Sequence, residues 1–124
     1  MKIKHQRNLV FGLFLAFLCS PPEAALAHAF PDHSDPRVGA TVSAPPAMVR
    51  IWFDGDLEPA FSTVRVLDGS GKRVDKGDGH VDSSDHTLLE AGLTALHPGV
   101  YHVYWSVVAW DGHRTEGDYT FTVK

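Results

Sequence analysis

Beyond residue 19 this sequence contains no cysteine, and after the initiating residue it contains a single methionine, Met48. The first absence excludes a disulfide framework, a zinc-thiolate cluster and a cysteine nucleophile from the body of the chain. The second excludes a group of thioethers able to hold a soft monovalent metal ion. Basic residues are scarce as well. From residue 28 onward there are eight Lys and Arg against fourteen Asp and Glu, a formal charge of −6 with histidine neutral. Phosphate backbones are bound through Lys and Arg patches, so a nucleic-acid partner is excluded. The longest apolar run, residues 9–18 (LVFGLFLAFL), falls well short of the ~20 residues that span a bilayer. After residue 27 no stretch sustains a 3.6-residue apolar period. Prolines at 31, 36, 45, 46, 59 and 98 punctuate the chain, which leaves no room for a helical fold.

What is present begins with a leader. Lys2, Lys4 and Arg7 precede the apolar run, Pro21 and Pro22 break it, and Ala25-Leu26-Ala27 supplies small residues at the −3 and −1 positions. That order predicts a secretory signal peptide over residues 1–27, cleaved after Ala27. A lipoprotein signal centred on Cys19 is the weaker reading, because Leu18 stands where such signals need a small residue. Cleavage leaves one small domain, residues 28–124. An oxidising compartment without a disulfide leaves burial alone to hold its core.

The remaining sequence reads as short strands separated by turns. Residues 48–53 (MVRIWF) roughly alternate apolar and polar, and 62–67 (STVRVL) do so cleanly before the turn Asp68-Gly69-Ser70-Gly71. Residues 87–89 form a short candidate. The longest strand is expected over 99–110 (GVYHVYWSVVAW), with Tyr101, Val103, Trp105 and Val107 on one face, and 117–123 (GDYTFTV) closes the domain. Residues 93–96 make at most one helical turn, and 75–85 (DKGDGHVDSSD) read as an exposed polar loop. Trp52, Trp105, Tyr119 and Phe121 are expected in the core. About seven antiparallel strands at this length predict an all-β, Ig-like or cupredoxin-like Greek-key sandwich.

Cleavage after Ala27 gives His28 two adjacent nitrogen donors, its α-amine and its imidazole, with ordinary pKa values of about 7.7 to 8.0 and about 6.5. Both yield their lone pairs to a competing metal near neutral pH. The amine and Nδ1 close a six-membered chelate ring, an arrangement suited to Cu(II), which favours tetragonal nitrogen and oxygen ligands. Asp111-Gly112-His113 follows the longest strand. If the extended conformation continues, residues two apart project to the same side, offering a carboxylate oxygen and an imidazole nitrogen to the same ion. His28, Asp111 and His113 together make three nitrogens and one oxygen.

These features also carry a family likeness. The start His28-Ala29-Phe30 with Asp35-Pro36-Arg37-Val38-Gly39, the segment Phe53 with Leu57-Glu58-Pro59-Ala60-Phe61-Ser62, and the run 99–105 followed by Asp111-Gly112-His113 and 117–123 resemble the CopC family. The resemblance runs through essentially the whole chain after the leader. It implies a periplasmic, monomeric Greek-key copper carrier, not an enzyme, contributing to copper resistance or homeostasis. It implies Cu(II) ligands at His28, Asp111 and His113, and a CopD-like inner-membrane protein or a periplasmic copper oxidase as partner. Some members carry a Met-rich Cu(I) loop, which Met48 alone does not reproduce, so a Cu(II)-only form is expected. Some carry a glutamate after the second strand, where this chain has Phe53-Asp54-Gly55-Asp56. Trp110 stands where small polar residues are usual.

Other histidines read more plainly. His5 belongs to the leader, His97 precedes Pro98 in a turn, and His102 alternates against Tyr101 and Val103 to face solvent or another strand. His33 is near the new N-terminus but sixth in the cleaved chain, so the simple N-terminal X-X-His chelate is absent. Asp78-Gly79-His80 repeats the triplet and, with Asp82, Asp85 and His86, is a candidate for a weak second site; Asp-Gly is also ordinary turn chemistry. Two other functions compete with the carrier: a copper-dependent oxidative enzyme using the same brace, and an Ig-like structural module.

Overall fold

A computed structural model describes residues 28–124. The leader and the expected cleavage after Ala27 lie outside the described residues. Eight strands form: β1 (Pro31–Asp35), β2 (Thr41–Val42), β3 (Met48–Phe53), β4 (Thr63–Leu67), β5 (His80–Val81), β6 (Leu88–Gly92), β7 (Gly99–Val108) and β8 (Arg114–Val123). They make two four-stranded sheets, ordered β1-β3-β6-β5 and β2-β8-β7-β4. Among sequence neighbours, only β5–β6 and β7–β8 share a sheet; every other connection crosses the sandwich. The expected all-β sandwich is present. One pairing departs from the antiparallel expectation: β2 runs parallel to the end of β8, Thr41 opposite Thr122 and Val42 opposite Val123.

Alternation in the long strands builds the core. Val49, Ile51 and Phe53 from β3 face Tyr101, Val103, Trp105 and Val107 from β7, with Val64, Val66, Leu89, Tyr119, Phe121 and Val123 between and beside them. Ile51, Leu89 and Phe121 are fully buried, each contributing roughly 1.5–3 kcal/mol of transfer free energy. Tyr119 also buries its hydroxyl without a hydrogen-bond partner among the described residues. The neighbouring Ser34 spends its proton on the Pro36 carbonyl, and burial pushes the phenol up to about 12.

Trp52 corrects the expected core. The same alternation that buries Ile51 and Phe53 turns Trp52 to the outer face, where it is half-buried and stacks on His33 at 4.5 Å and 8°. Residues 93–96 form no helix; the one short helical turn of the described residues is a 3-10 turn at Pro59–Phe61.

The segment 75–85 is not the free polar loop its composition suggests. Asp75 is buried, accepting from the backbone N–H groups of Val66 and Gly77 and from the Arg73 side chain. Asp78 accepts from the Gly92 N–H, and His80–Val81 pairs with β6 while Val81 joins the core. Polar side chains there satisfy backbone groups that would otherwise be stranded.

Candidate metal centre

Three segments meet at one end of the sandwich. The first is 28–30, pinned at consecutive residues: the Thr115 hydroxyl donates to the Ala29 carbonyl at 2.7 Å, and the Phe30 N–H donates to Asp54 Oδ1 at 2.8 Å. The Asp54 N–H returns a bond to the Phe30 carbonyl at 2.9 Å. With Ala29 buried, His28 is held beside the start of β8. The two ends of the chain that the donor set requires to meet therefore do meet.

The second segment is the β7–β8 turn. Asp111 and His113 lie in a tight loop instead of a continuing strand, so the mechanism expected for their proximity is corrected. Gly112 takes a left-handed φ of +90°, which L side chains rarely adopt. The Gly112 N–H donates to the Ala109 carbonyl, and the Ala109 N–H donates to the His113 carbonyl, both at 2.8 Å. Asp111 then folds over its own turn: Oδ1 accepts the His113 N–H at 3.1 Å and Oδ2 bonds His113 Nδ1 at 2.9 Å. The third segment, 54–61, straps the turn from the side. The Trp110 N–H donates to the Asp56 carbonyl at 3.1 Å, and the Glu58 N–H to the Val108 carbonyl at 2.8 Å.

The result brings all three expected ligands together. The His28 and His113 rings lie edge to face with centroids 5.2 Å apart, and Phe30 packs on the other side of His28 at 5.7 Å. His28 Nδ1 is buried and has no hydrogen-bond partner among the described residues, a cost for a polar atom unless something else binds it. The Asp111 carboxyl is held below the usual carboxylate range, first by the His113 side chain and then by the His113 N–H; burial opposes them, and the nearby His113 and His28 rings add lesser contributions. The site is adjacent more than convergent: among the described residues no three His, Cys, Asp or Glu are already arranged around an ion. A metal ion held here would take an Asp111 oxygen and an imidazole nitrogen of His113, whose Nδ1 is bonded to Asp111. That leaves an acidic, imidazole-rich corner able to take up a divalent cation.

A CopC domain model matches residues 32–124. The chain belongs to the CopC family. A solved CopC from Methylosinus trichosporium OB3b superposes with TM-score 0.70 at 35% identity, covering 78% of this chain and 94% of that one. PcoC, a methionine-rich copper resistance protein from Escherichia coli, superposes with TM-score 0.68 at 28% identity, covering 79% and 100%. Protein YobA of Escherichia coli K12 is 31% identical over 95% of this chain and 96% of its own. The copper transport protein CutJ of Bacillus subtilis is 29% identical over 95% of this chain, which spans only 22% of CutJ.

Within this CopC fold the remaining candidates fall elsewhere. His33 bonds Asp32 at 2.8 Å and stacks on Trp52. His80 bonds the Asp78 carbonyl through Nδ1 and reaches Glu90 through Nε2 at 3.3 Å. Asp82 and Asp85 cap their own turns through Ser84 and Thr87. His102 sits on the outer face between Asp118 and Tyr104. Asp54 and Thr115 are the residues sequence reading missed as parts of the site. Asp54 stands where the family's glutamate was sought, and it serves as a clamp on Phe30; nothing in the residue type of Thr115 announces its bond to Ala29.

Proposed function

We propose that this CopC-family chain, once cut after Ala27, binds Cu(II) outside the cytoplasm and carries it, as a monomer, in copper resistance or homeostasis. His28 supplies its new amine and Nδ1, Asp111 a carboxylate oxygen and His113 an imidazole nitrogen. The observation that carries this reading is the buried Nδ1 of His28, without a partner among the described residues, beside the His113 ring. Amine and Nδ1 close one chelate ring, so a single pinned residue contributes two donors at little extra ordering cost. The 109–113 turn holds the other two close beside it, so that only side-chain rearrangement is left to bring the donors onto one ion. The printed names of CutJ and PcoC, copper transport and copper resistance, fit this reading. Met48 is the sole thioether after the leader and lies in β3, which favours Cu(II) over Cu(I). A CopD-like membrane protein or a periplasmic copper oxidase is the expected recipient, and no step of catalysis is required.

The test is a chelator-competed Cu(II) titration of protein beginning at His28 against protein retaining Ala27. Retention converts the amine to a peptide nitrogen without touching any side chain. Affinity is expected to fall more than about 100-fold, beyond what loss of an outer-shell partner produces. Equal affinity in the two forms overturns the brace.

A further inference from the structure

The metal end exposes aromatic surface that folding does not require. Phe30, Phe61 and Trp110 are 52%, 60% and 65% exposed. All three belong to the segments tied together around His28, Asp111 and His113: Phe30 packs on His28, Trp110 precedes Asp111, and Phe61 ends the 3-10 turn that follows Glu58. The other large exposed apolar residues, Val38 and Val100, lie apart from these segments, and Val100 sits near the opposite end of β7, roughly 26 Å away at 3.3 Å per strand residue. Isolated exposed side chains need no explanation, but three aromatics gathered at one end mark an interaction surface, and Trp in particular is favoured as an interface anchor.

The charge around them is one-sided. Residues 28–30, 54–61 and 109–114 contain four carboxylates, Asp54, Asp56, Glu58 and Asp111, against one permanent cation, Arg114. Arg114 is engaged by the Ser106 hydroxyl on the outer face of β7 and β8. We propose that this end is a docking face for a copper-exchanging protein whose contact surface carries Lys or Arg around an apolar recess. Its purpose rests on the copper reading above; its geometry does not. A second copy of this chain would set two acidic rims against each other within a Debye length, and an anionic lipid surface meets the same repulsion. A basic partner gains steering as well as contact, and Trp110, adjacent to Asp111, brings that contact to within one residue of the ion being passed.

The probes are two designed 20-residue amphipathic peptides, one with Lys and one with Glu on the polar face, each beginning with a free-amine Gly-Gly-His copper chelate. Amide shifts of metal-free protein cut after Ala27 are expected to move with the Lys peptide at residues 30, 54–61 and 109–113. Salt is expected to weaken this binding, and the Glu peptide to leave the shifts unchanged. Copper transfer from loaded protein to the Lys peptide is expected to slow at least tenfold in Phe61→Ala/Trp110→Ala, and to be unaffected in Val100→Ala. Transfer to the free Gly-Gly-His tripeptide should be equal in all three proteins. Shifts centred on Val38 or Val100, equal response to both peptides, self-association through residues 30, 61 and 110, or an unslowed double variant would each overturn the docking face. The double variant's own Cu(II) affinity, expected within twofold of the parent, separates this outcome from failure of the metal site, which appears as a parent protein that does not load copper.

Discussion

Two Asp-Gly-His triplets stand in this chain, and the fold treats them in opposite ways. At 78–80 the donors are spent. Asp78 accepts the Gly92 N–H, His80 bonds the Asp78 carbonyl and Glu90, and Gly79 lies so close to β4 that an added Cβ would come within 2.9 Å of the Val64 carbonyl. At 111–113 the Asp and His bond chiefly each other, the glycine faces open space, and the next neighbour is a histidine with an unpartnered nitrogen. Identical residues serve packing where backbone groups need partners and stay available where the chain turns in the open. The motif is therefore informative only with its surroundings.

The sharpest way to break this contrast is a paired substitution. Asp75→Ala, in the structural region, strands two backbone N–H groups and the Arg73 guanidinium and is expected to destabilise by about 3 kcal/mol, leaving Cu(II) affinity within twofold. Asp111→Ala is expected to do the reverse, lowering affinity at least about 100-fold while its urea midpoint stays much nearer the parent's than that of Asp75→Ala, since only an exposed turn contact is lost. Urea unfolding and chelator-competed titration on both variants read the four outcomes, and a shared phenotype would erase the distinction. Glycine replacement comes next. Gly79→Ala forces backbone apart and should cost about 2 kcal/mol, whereas Gly112→Ala meets only the left-handed φ and should cost about 1 kcal/mol, as measured by thermal unfolding.

Acid sharpens the same comparison. Burial alone would push the Asp75 carboxyl up, but Arg73 and the Val66 and Gly77 N–H groups outweigh it and hold the group below its ordinary 3.8. Folding thus favours its ionised form, so the stability it contributes is complete above pH 3.8 and is lost as pH falls through the lowered value. Asp75→Asn should flatten that limb of a stability-versus-pH curve measured by urea unfolding. The smallest expected effect is His80→Ala: copper affinity within twofold of the parent, where a larger loss would make the second triplet a ligand site after all.

Much of the fold was legible because alternation carries it. Residues 48–53 and the inward faces of β4, β7 and β8 follow from where Val, Ile, Phe and Tyr recur. β1 was not, since PDHSD contains no apolar residue to show a face; its pairing is made by backbone. The parallel β2–β8 contact rests on two residues, with the Gly39 N–H donating to Thr120 nearby, and no side-chain pattern encodes it. Trp52 misled because its size suggested the core while its even position in the strand placed it outside. In the site, the three residues that come close together, His28, Asp111 and His113, were singled out by the sequence, but Thr115 and Asp54 bring the distant segments together by bonds to backbone, which residue types alone do not reveal.

Pinning at both Ala29 and Phe30 has a consequence for how preparations behave. A chain anchored at two successive residues has no slack, so under the proposed processing a cut one position early could not be absorbed by sliding, and one a position late would take the histidine with it. Either product keeps the same core and melts like the correct one. On this reading, the molar fraction of copper a sample keeps against a competing chelator tracks the fraction of molecules whose mass spectrum begins at His28. Processing accuracy and metal content become one number read by two instruments.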